Sequence, residues 1–227
     1  MSKPQWLPLI EQQLKENPKS VSYAFSTLSE EGKPKVRYVI HRGITPSSLL
    51  LTTTDTRMSK PVHLKHDPTV EIAWWIESTN VQFRITGKAV TIPSSTSSNS
   101  TENSDTLDAI RLLGVEGLEE GTKEYWENKR KELWKGVSGH LRAGFGRPTP
   151  GKQLDQVESS DNWPETIPAE SDKPEEQKTI ESAYSHFAII AIAPEQVEYL
   201  ELKPIPNRRT QWKRQNNGEW EETKVAP

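Results

Sequence analysis

Cationic and hydroxyl side chains cluster where an apolar run ends, at residues 52–61, which read Thr-Thr-Thr-Asp-Thr-Arg-Met-Ser-Lys-Pro. Ser59 can cap a helix that has Pro61 in its first turn. The free N–H groups of a helix start carry a partial positive charge, and Arg57 and Lys60 add full charges beside it. Because arginine offers a planar fork and lysine a point charge, this group suits a phosphate dianion. The pattern predicts an anion site, and its structural alternative is a solvated basic turn.

Two predicted strands carry further polar side chains. Residues 36–43 read Val-Arg-Tyr-Val-Ile-His-Arg-Gly, and residues 81–89 read Val-Gln-Phe-Arg-Ile-Thr-Gly-Lys-Ala. Because side chains alternate between the two faces of a strand, Gln82 and Arg84 share one face of the second strand. Arg37, on the first strand, is a further cation that can reach the anion from a neighbouring strand. Both faces of that first strand mix apolar and cationic side chains, which is unusual for a purely structural strand.

Most of the elements that position these residues are predicted strands. Periodicity indicates helices at residues 2–17 and 124–135, and residues 140–151 are predicted to be extended. Short strands joined by tight turns are predicted at residues 21–28, 36–43, 49–54, 70–77, 81–92, 187–193, 197–203, 208–214 and 219–222. Since helices do not alternate regularly with the strands, a doubly wound sheet is disfavoured. The pattern predicts a mainly β, α+β fold, a closed or split antiparallel barrel with peripheral helices.

Composition narrows the class of protein. With 227 residues, of which 32% are hydrophobic, the chain is predicted to be one domain with part of its length outside the core. It has no cysteine, which fits a reducing compartment. No apolar run approaches transmembrane length, and the N-terminus lacks a signal-peptide pattern. We therefore expect a cytoplasmic protein without a membrane partner, in which the Ser/Thr/Asn-rich residues 93–106 form a flexible loop.

Charge is distributed unevenly along the chain. Residues 155–182 hold nine acidic and two basic residues, a net charge of −7, whereas the rest of the chain carries +4. We interpret this segment as a flexible, solvated acidic insertion, with a partner-docking segment as the alternative. The cations of the body gather at one place rather than along a stripe, which argues against nucleic-acid binding.

The five histidines complete the search for chemical groups. They show no spacing that would place a third metal ligand, so no metal site is predicted. His41 has an ordinary pKa near neutrality and is a candidate general base, although a single histidine on a strand is more often structural.

Four motifs follow one another in an order typical of one flavoprotein family. They are Arg-Tyr-Val-Ile-His-Arg from Arg37, Thr-Thr-Thr-Asp-Thr-Arg-Met-Ser-Lys from Thr52, Asp-Pro-Thr-Val-Glu-Ile from Asp67, and Gln-Phe-Arg-Ile-Thr-Gly-Lys-Ala from Gln82. In this order they resemble the pyridoxamine 5′-phosphate oxidase-like family, whose members are FMN-binding split β-barrels. The resemblance covers residues 23–92 and resumes at 140–151 and 187–227. It implies a split barrel that forms a homodimer with FMN at the subunit interface.

The resemblance also implies a set of cofactor-binding residues. Arg37 and Lys60 would hold the FMN phosphate, with Ser59 at the helix start, and Gln82 would lie near the flavin ring. The full implied set is Arg37, Tyr38, Val39, Ile40, Thr53, Thr54, Arg57, Ser59, Lys60, Gln82 and Arg84.

The residues at the positions where the family binds its substrate depart from the family pattern. Arg42 stands where the oxidases have a lysine, and Thr210 replaces the histidine of their Arg-x-His pair. Leu200 and Trp212 replace a flavin-facing tryptophan and a later arginine. We therefore predict an FMN-dependent oxidoreductase whose substrate is not pyridoxamine 5′-phosphate, with no catalytic residue assigned; a non-catalytic flavin carrier or sensor is the alternative. The candidate substrate-binding residues are Arg42, Arg142 and Arg208.

Overall fold

The structure is a computed structural model that describes residues 3–93 and 108–227. Its labelled helices are α1 (Leu7–Glu16), α2 (Ser59–His66), α3 (Lys123–Gly136), α4 (Gly139–Gly146) and α5 (Pro174–His186). Its strands are β1 (Ser22–Leu28), β2 (Pro34–Ile40), β3 (Gly43–Ile44), β4 (Leu50–Asp55), β5 (Thr69–Ile76), β6 (Val81–Ile92), β7 (Phe187–Glu201), β8 (Arg208–Arg214) and β9 (Trp220–Val225). The loop predicted at 93–106 lies, apart from its first residue, outside the described residues.

The nine strands form one sheet in the order β2-β1-β5-β6-β7-β4-β3, with β8 paired to β7 and β9 paired to β8. The pairings with a defined register are antiparallel. This confirms the predicted antiparallel split-barrel class, with helices outside the sheet. Among the described residues, no helix combines the length and apolar character needed to cross a bilayer.

The chain divides into two compact units. The first comprises Met1–Thr52, His63–Val90 and Ala191–Pro227, and the second comprises Thr53–Val62 and Thr91–Ile190. Strands β4, β6 and β7 and helix α2 each contribute residues to both units.

The first unit is built on the β1–β2 hairpin and the strands that follow it. Phe25 pairs with Arg37 across the hairpin, as the alternation of the sequence predicts. Trp74 is buried and donates its indole N–H to a backbone carbonyl, while its neighbour Trp75 is exposed on the opposite face. At Gly87 an added Cβ would lie 2.3 Å from the carbonyl oxygen of Ala193, so only glycine permits this close approach of two strands.

The second unit is largely helical. The Thr122 side chain accepts a hydrogen bond from the backbone N–H of Tyr125 and caps α3. Ser138 caps α4 in the same way, which makes residues 139–146 helical. The prediction that residues 140–151 are extended is therefore wrong over most of its length, because the Ser138 cap and the burial of Arg142 and Ala143 outweigh the low helix propensity of the three glycines.

The acidic segment at 155–182 makes several contacts within the second unit, while its predicted flexibility stays a prediction. Ile167 is buried, its N–H donates to the carbonyl of Gly139, and its own carbonyl accepts from Arg142. The segment ends within α5, the helix in which Ala183 is also buried. Its few apolar side chains pack within the unit, while most of its acidic side chains remain in solvent.

Candidate functional site

Arg37 in β2 is held by hydrogen bonds through Nη1, which leaves the edge formed by Nε and Nη2 for a ligand. Its Nη1 donates to the carbonyls of Phe25 (3.2 Å) and Lys35 (2.9 Å) and to the hydroxyl of Thr27 (2.8 Å). Its Nε and Nη2 have no acceptor among the residues that the structure describes. Burial lowers the pKa of Arg37, but an arginine remains charged at neutral pH. The anchored side chain therefore keeps two parallel donors for an anion.

The other predicted residues of β2 divide between the two faces of the strand. Val39 pairs with Tyr23 on the buried face, which also carries Arg37. Tyr38 and Ile40 lie on the exposed face. Because β2 ends the strand order, its outer backbone groups are available to a ligand in addition to these side chains.

The predicted helix start is present in the second unit. Thr53 and Thr54 lie near the end of β4, and α2 begins at the exposed Ser59. Lys60 is buried, with its Nζ 3.4 Å from the sulfur of Met58. A helix start beside a lysine is the arrangement from which the anion site was predicted, and anion binding there stays a prediction.

Arg57 is tied to its own unit instead. Its Nε and Nη2 donate to the carboxylate of Asp55 at 2.9 and 2.6 Å, and its Nη1 and Nη2 donate to the carbonyls of Arg147 and Phe145. These contacts use both edges of its fork, so this arrangement does not support Arg57 as a cofactor ligand. The aspartate two residues before it is the signal that sequence reasoning overlooked.

Gln82 and Arg84 belong to a polar network on one face of β6 and its neighbours. The Nε of Arg84 donates to the amide oxygen of Gln82 at 3.0 Å, so the NH₂ group of Gln82 is left as a donor. The carboxylate of Glu198 lies 4.0 Å from Arg84 and accepts from Arg209 (2.7 Å) and Gln211 (2.6 Å). Sequence reasoning missed this buried glutamate, whose position on β7 is visible only once the strand register is known.

Arg142 is a buried structural group. Its Nε donates to the carbonyl of Ile167 at 2.8 Å, and its Nη1 donates to the carbonyls of Trp134 and Val137. Burial lowers its pKa from the ordinary arginine value. These contacts fix the loop between α3 and α4, and they do not support the predicted substrate role.

Arg42 and Arg208 both lie in the first unit. The Nε of Arg42 is buried without an acceptor among the described residues, and burial lowers its pKa. Arg208 is exposed at the first position of β8. A substrate role for either residue stays a prediction.

His41 does not have the surroundings of a general base. Its ring lies 5.0 Å from Trp74 and 6.4 Å from Tyr23, and its Nδ1 has no partner among the described residues. Burial lowers its pKa to about 4, so the ring is neutral at pH 7 and a weak base. The structural interpretation fits these contacts better.

A second histidine was not singled out as a functional residue by sequence reasoning. His63 in α2 is buried, and its Nδ1 lies 3.0 Å from the hydroxyl of Thr27, the same hydroxyl that accepts from Arg37. The two residues are 36 positions apart, so no local pattern indicates the contact.

Comparisons with known proteins show what this chain is similar to. Residues 3–93 match the family described as "Pyridoxamine 5′-phosphate oxidase, FMN-binding domain". Pyridoxine/pyridoxamine 5′-phosphate oxidase 2 of Arabidopsis thaliana is 27% identical over 179 residues, which cover 78% of this chain and 72% of that protein. All eleven predicted cofactor residues lie within the matched residues 3–93.

Two solved structures support the fold. A pyridoxamine 5′-phosphate oxidase-related, FMN-binding protein of Nostoc punctiforme has a TM-score of 0.75 and 24% identity, with all of both chains covered. PhzG of Burkholderia lata, solved in complex with tetrahydrophenazine-1-carboxylic acid, has a TM-score of 0.64 and 13% identity, with 99% of this chain and 94% of that chain covered. At these identities the likeness establishes the fold.

Proposed function

Residues 3–93 match the FMN-binding domain of the pyridoxamine 5′-phosphate oxidase family, and from this premise we propose that the protein is an FMN-dependent oxidoreductase with a substrate other than pyridoxamine 5′-phosphate. When bound, FMN supplies the electron transfer. The residues of the chain bind the phosphate, orient the ring and shape the substrate end. A cytoplasmic location, favoured by the absence of cysteine, is part of the same proposal.

One observation carries the cofactor assignment: the guanidinium of Arg37, anchored through Nη1, keeps Nε and Nη2 for a bidentate contact with phosphate. Lys60 and Ser59 at the start of α2 are proposed as further phosphate ligands. Thr53, Thr54 and the β2 residues Tyr38, Val39 and Ile40 are proposed to line the rest of the cofactor. Gln82, whose remaining donor is its NH₂ group, is proposed to contact the flavin ring, with Arg84 holding its amide in place.

A fluorescence titration tests this assignment. FMN should bind more tightly than riboflavin, and Lys60→Glu should weaken FMN by at least about tenfold, since a hydrogen bond to a charged group contributes about 1.5–3 kcal/mol. Glu195→Gln, an exposed change in the first unit, is the matched control and should leave both affinities unchanged. Equal affinity for riboflavin and FMN would contradict the phosphate site.

The substrate proposal rests on the residues that stand at the family's substrate end. Leu200 and Trp212 are buried, and the indole N–H of Trp212 donates to the carboxylate of Glu222 at 3.0 Å. Neither side chain offers a donor to a substrate phosphate. Arg142 is likewise engaged with backbone carbonyls.

An assay of FMN-saturated protein with pyridoxamine 5′-phosphate and pyridoxine 5′-phosphate tests the substrate proposal. We expect negligible oxidase turnover. A second assay mixes the loaded protein with NADH or NADPH under anaerobic conditions and follows the visible flavin band, with dithionite as the positive control. Bleaching by either nucleotide supports an oxidoreductase, whereas reduction by dithionite alone supports the carrier or sensor alternative.

We also propose that the working unit is a homodimer with the cofactor at the subunit interface. On the open face of the first unit, Val36 is 71% and Tyr38 is 78% exposed, and Ile40 and Trp75 are exposed beside them. An apolar face of this kind marks an interaction surface. The family resemblance makes a second copy of the chain the partner.

Light scattering tests the oligomeric state. The wild-type protein should have twice the chain mass, and Val36→Lys should shift it toward the monomer. Ile205→Lys is a matched control, because Ile205 is 98% exposed on a loop of the same unit. A wild-type monomer with full FMN occupancy would refute the proposal.

A further inference from the structure

We infer that Thr27 is a positioning residue for the cofactor phosphate, and that it acts by coupling the guanidinium of Arg37 to the imidazole of His63. The inference rests on the proposed function in one respect, that Arg37 is a phosphate ligand. Its three members lie within the first unit and come from β1, β2 and α2.

The hydrogen bonds of the Thr27 hydroxyl indicate where its proton points. Thr27 is 1% exposed, and its hydroxyl accepts from the Nη1 of Arg37 at 2.8 Å and lies 3.0 Å from the Nδ1 of His63. A hydroxyl has one proton and two lone pairs, and a guanidinium can only donate, so the contact with Arg37 occupies one lone pair. Among the described residues, Nδ1 of His63 is the acceptor within reach of the Thr27 proton, so we assign that proton to Nδ1 and the imidazole proton to Nε2.

This arrangement determines which edge of Arg37 is presented. Nη1 is held by Thr27 together with the carbonyls of Phe25 and Lys35. The adjacent pair Nε and Nη2 is then left as a fixed fork, the geometry that binds two oxygens of one phosphate. Without the Thr27 hydroxyl, Nη1 would keep only the two backbone carbonyls and would lose the shortest of its three contacts.

The charges around His63 favour its neutral form. Burial, Arg37 and Lys35 all lower the pKa of His63, in that order, while Glu30 opposes them. A protonated imidazole would direct an Nδ1–H at a hydroxyl that already accepts from Arg37, with Lys35 as a further nearby cation. Because the pKa of His63 in the folded protein is lowered from the ordinary value of 6.5, the imidazole is neutral and the arrangement is complete at neutral pH. The arrangement is lost only as the pH falls through that lowered pKa.

The first experiment compares two substitutions at one position. The affinities of apo protein for FMN and for riboflavin are measured by flavin fluorescence at pH 8 in wild type, Thr27→Val and Thr27→Ser. We expect Thr27→Val to reduce the preference for FMN over riboflavin by about tenfold, in line with loss of one charge-assisted hydrogen bond. The affinity for riboflavin should stay within about twofold, and Thr27→Ser, which keeps the hydroxyl, should restore the preference.

The second experiment isolates His63 without touching Thr27. The FMN preference of wild type and His63→Gln is followed from pH 8 to pH 5. The phosphate itself titrates with a pKa of about 6 in both proteins, so only the difference between the two curves reports the imidazole. We expect the wild-type preference to fall more steeply than that of His63→Gln.

The outcomes separate this inference from the proposed function. A wild-type protein that does not prefer FMN refutes the phosphate site and the inference together. A wild-type preference that Thr27→Val retains, or pH curves that superimpose, refutes the inference alone. If Thr27→Val does not fold, the inference is still tested by the FMN preference of Thr27→Ser and by the pH comparison of wild type with His63→Gln.

Discussion

Arg142 offers the sharpest test of whether an arginine predicted to bind substrate serves the fold instead. We expect Arg142→Met, which keeps the long apolar stem and removes every donor, to destabilise the protein. The side chain is 9% exposed, and its guanidinium serves the carbonyls of Trp134, Val137 and Ile167. Its loss leaves those three acceptors without their donor in the second unit.

The size of the effect follows from those contacts. Hydrogen bonds to a charged group contribute about 1.5–3 kcal/mol each, but they are not additive, and burying the guanidinium costs part of the gain. A net loss of about 3 kcal/mol is therefore reasonable, a large fraction of the roughly 5–15 kcal/mol that stabilises a domain. With an m-value of about 2 kcal/mol per molar urea, the midpoint should fall by about 1.5 M.

Urea unfolding followed by circular dichroism is the assay. Wild type, Arg142→Met and the control Arg208→Met are compared at one saturating FMN concentration, because a ligand raises the apparent stability. Arg208 is exposed, so its substitution should change the free energy of unfolding by less than about 0.5 kcal/mol. If the Arg142→Met midpoint equals that of Arg208→Met, the structural assignment of Arg142 is wrong.

Two further substitutions test the packing within the units. Ile167→Ala should cost about 2–4 kcal/mol, because it opens a cavity beneath the acidic segment; a melting temperature equal to wild type would show that the segment does not pack there. Gly87→Ala should lower the yield of folded protein sharply, since the new methyl would lie 2.3 Å from a backbone oxygen that cannot swing away. Recovery of that variant with wild-type stability would mean that the two strands separate without cost.

Local patterns account for the parts of the fold that the sequence predicts. The alternation of residues 21–28 and 36–43 with a turn between them is enough to predict the hairpin, and the structure confirms it. Alternation also puts Trp74 and Trp75 on opposite faces of β5, but only the structure shows that Trp74 is the buried one. The start of α2 at Ser59 follows from a serine and a proline within three consecutive residues, Ser59–Pro61.

Contacts between distant residues account for what could not be predicted. Arg57 looks like a free cation in sequence, but its partners Phe145 and Arg147 lie about 90 positions away. A single buried isoleucine within a charged run, as at Ile167, produces no periodic signal. The implied cofactor residues came from the order of four motifs, and their contacts with FMN remain predictions.

The position of β2 at the end of the strand order affects how readily the FMN-free protein aggregates. A terminal strand with an apolar outer face is a template for uncontrolled strand addition. Lys35 and Arg37 alternate with Val36 and Tyr38, so a second β2 docking on this edge would bring like charges together. Repulsion between these cations would oppose edge-to-edge pairing of two chains. The strand that is proposed to bind FMN would therefore also resist aggregation in the FMN-free protein.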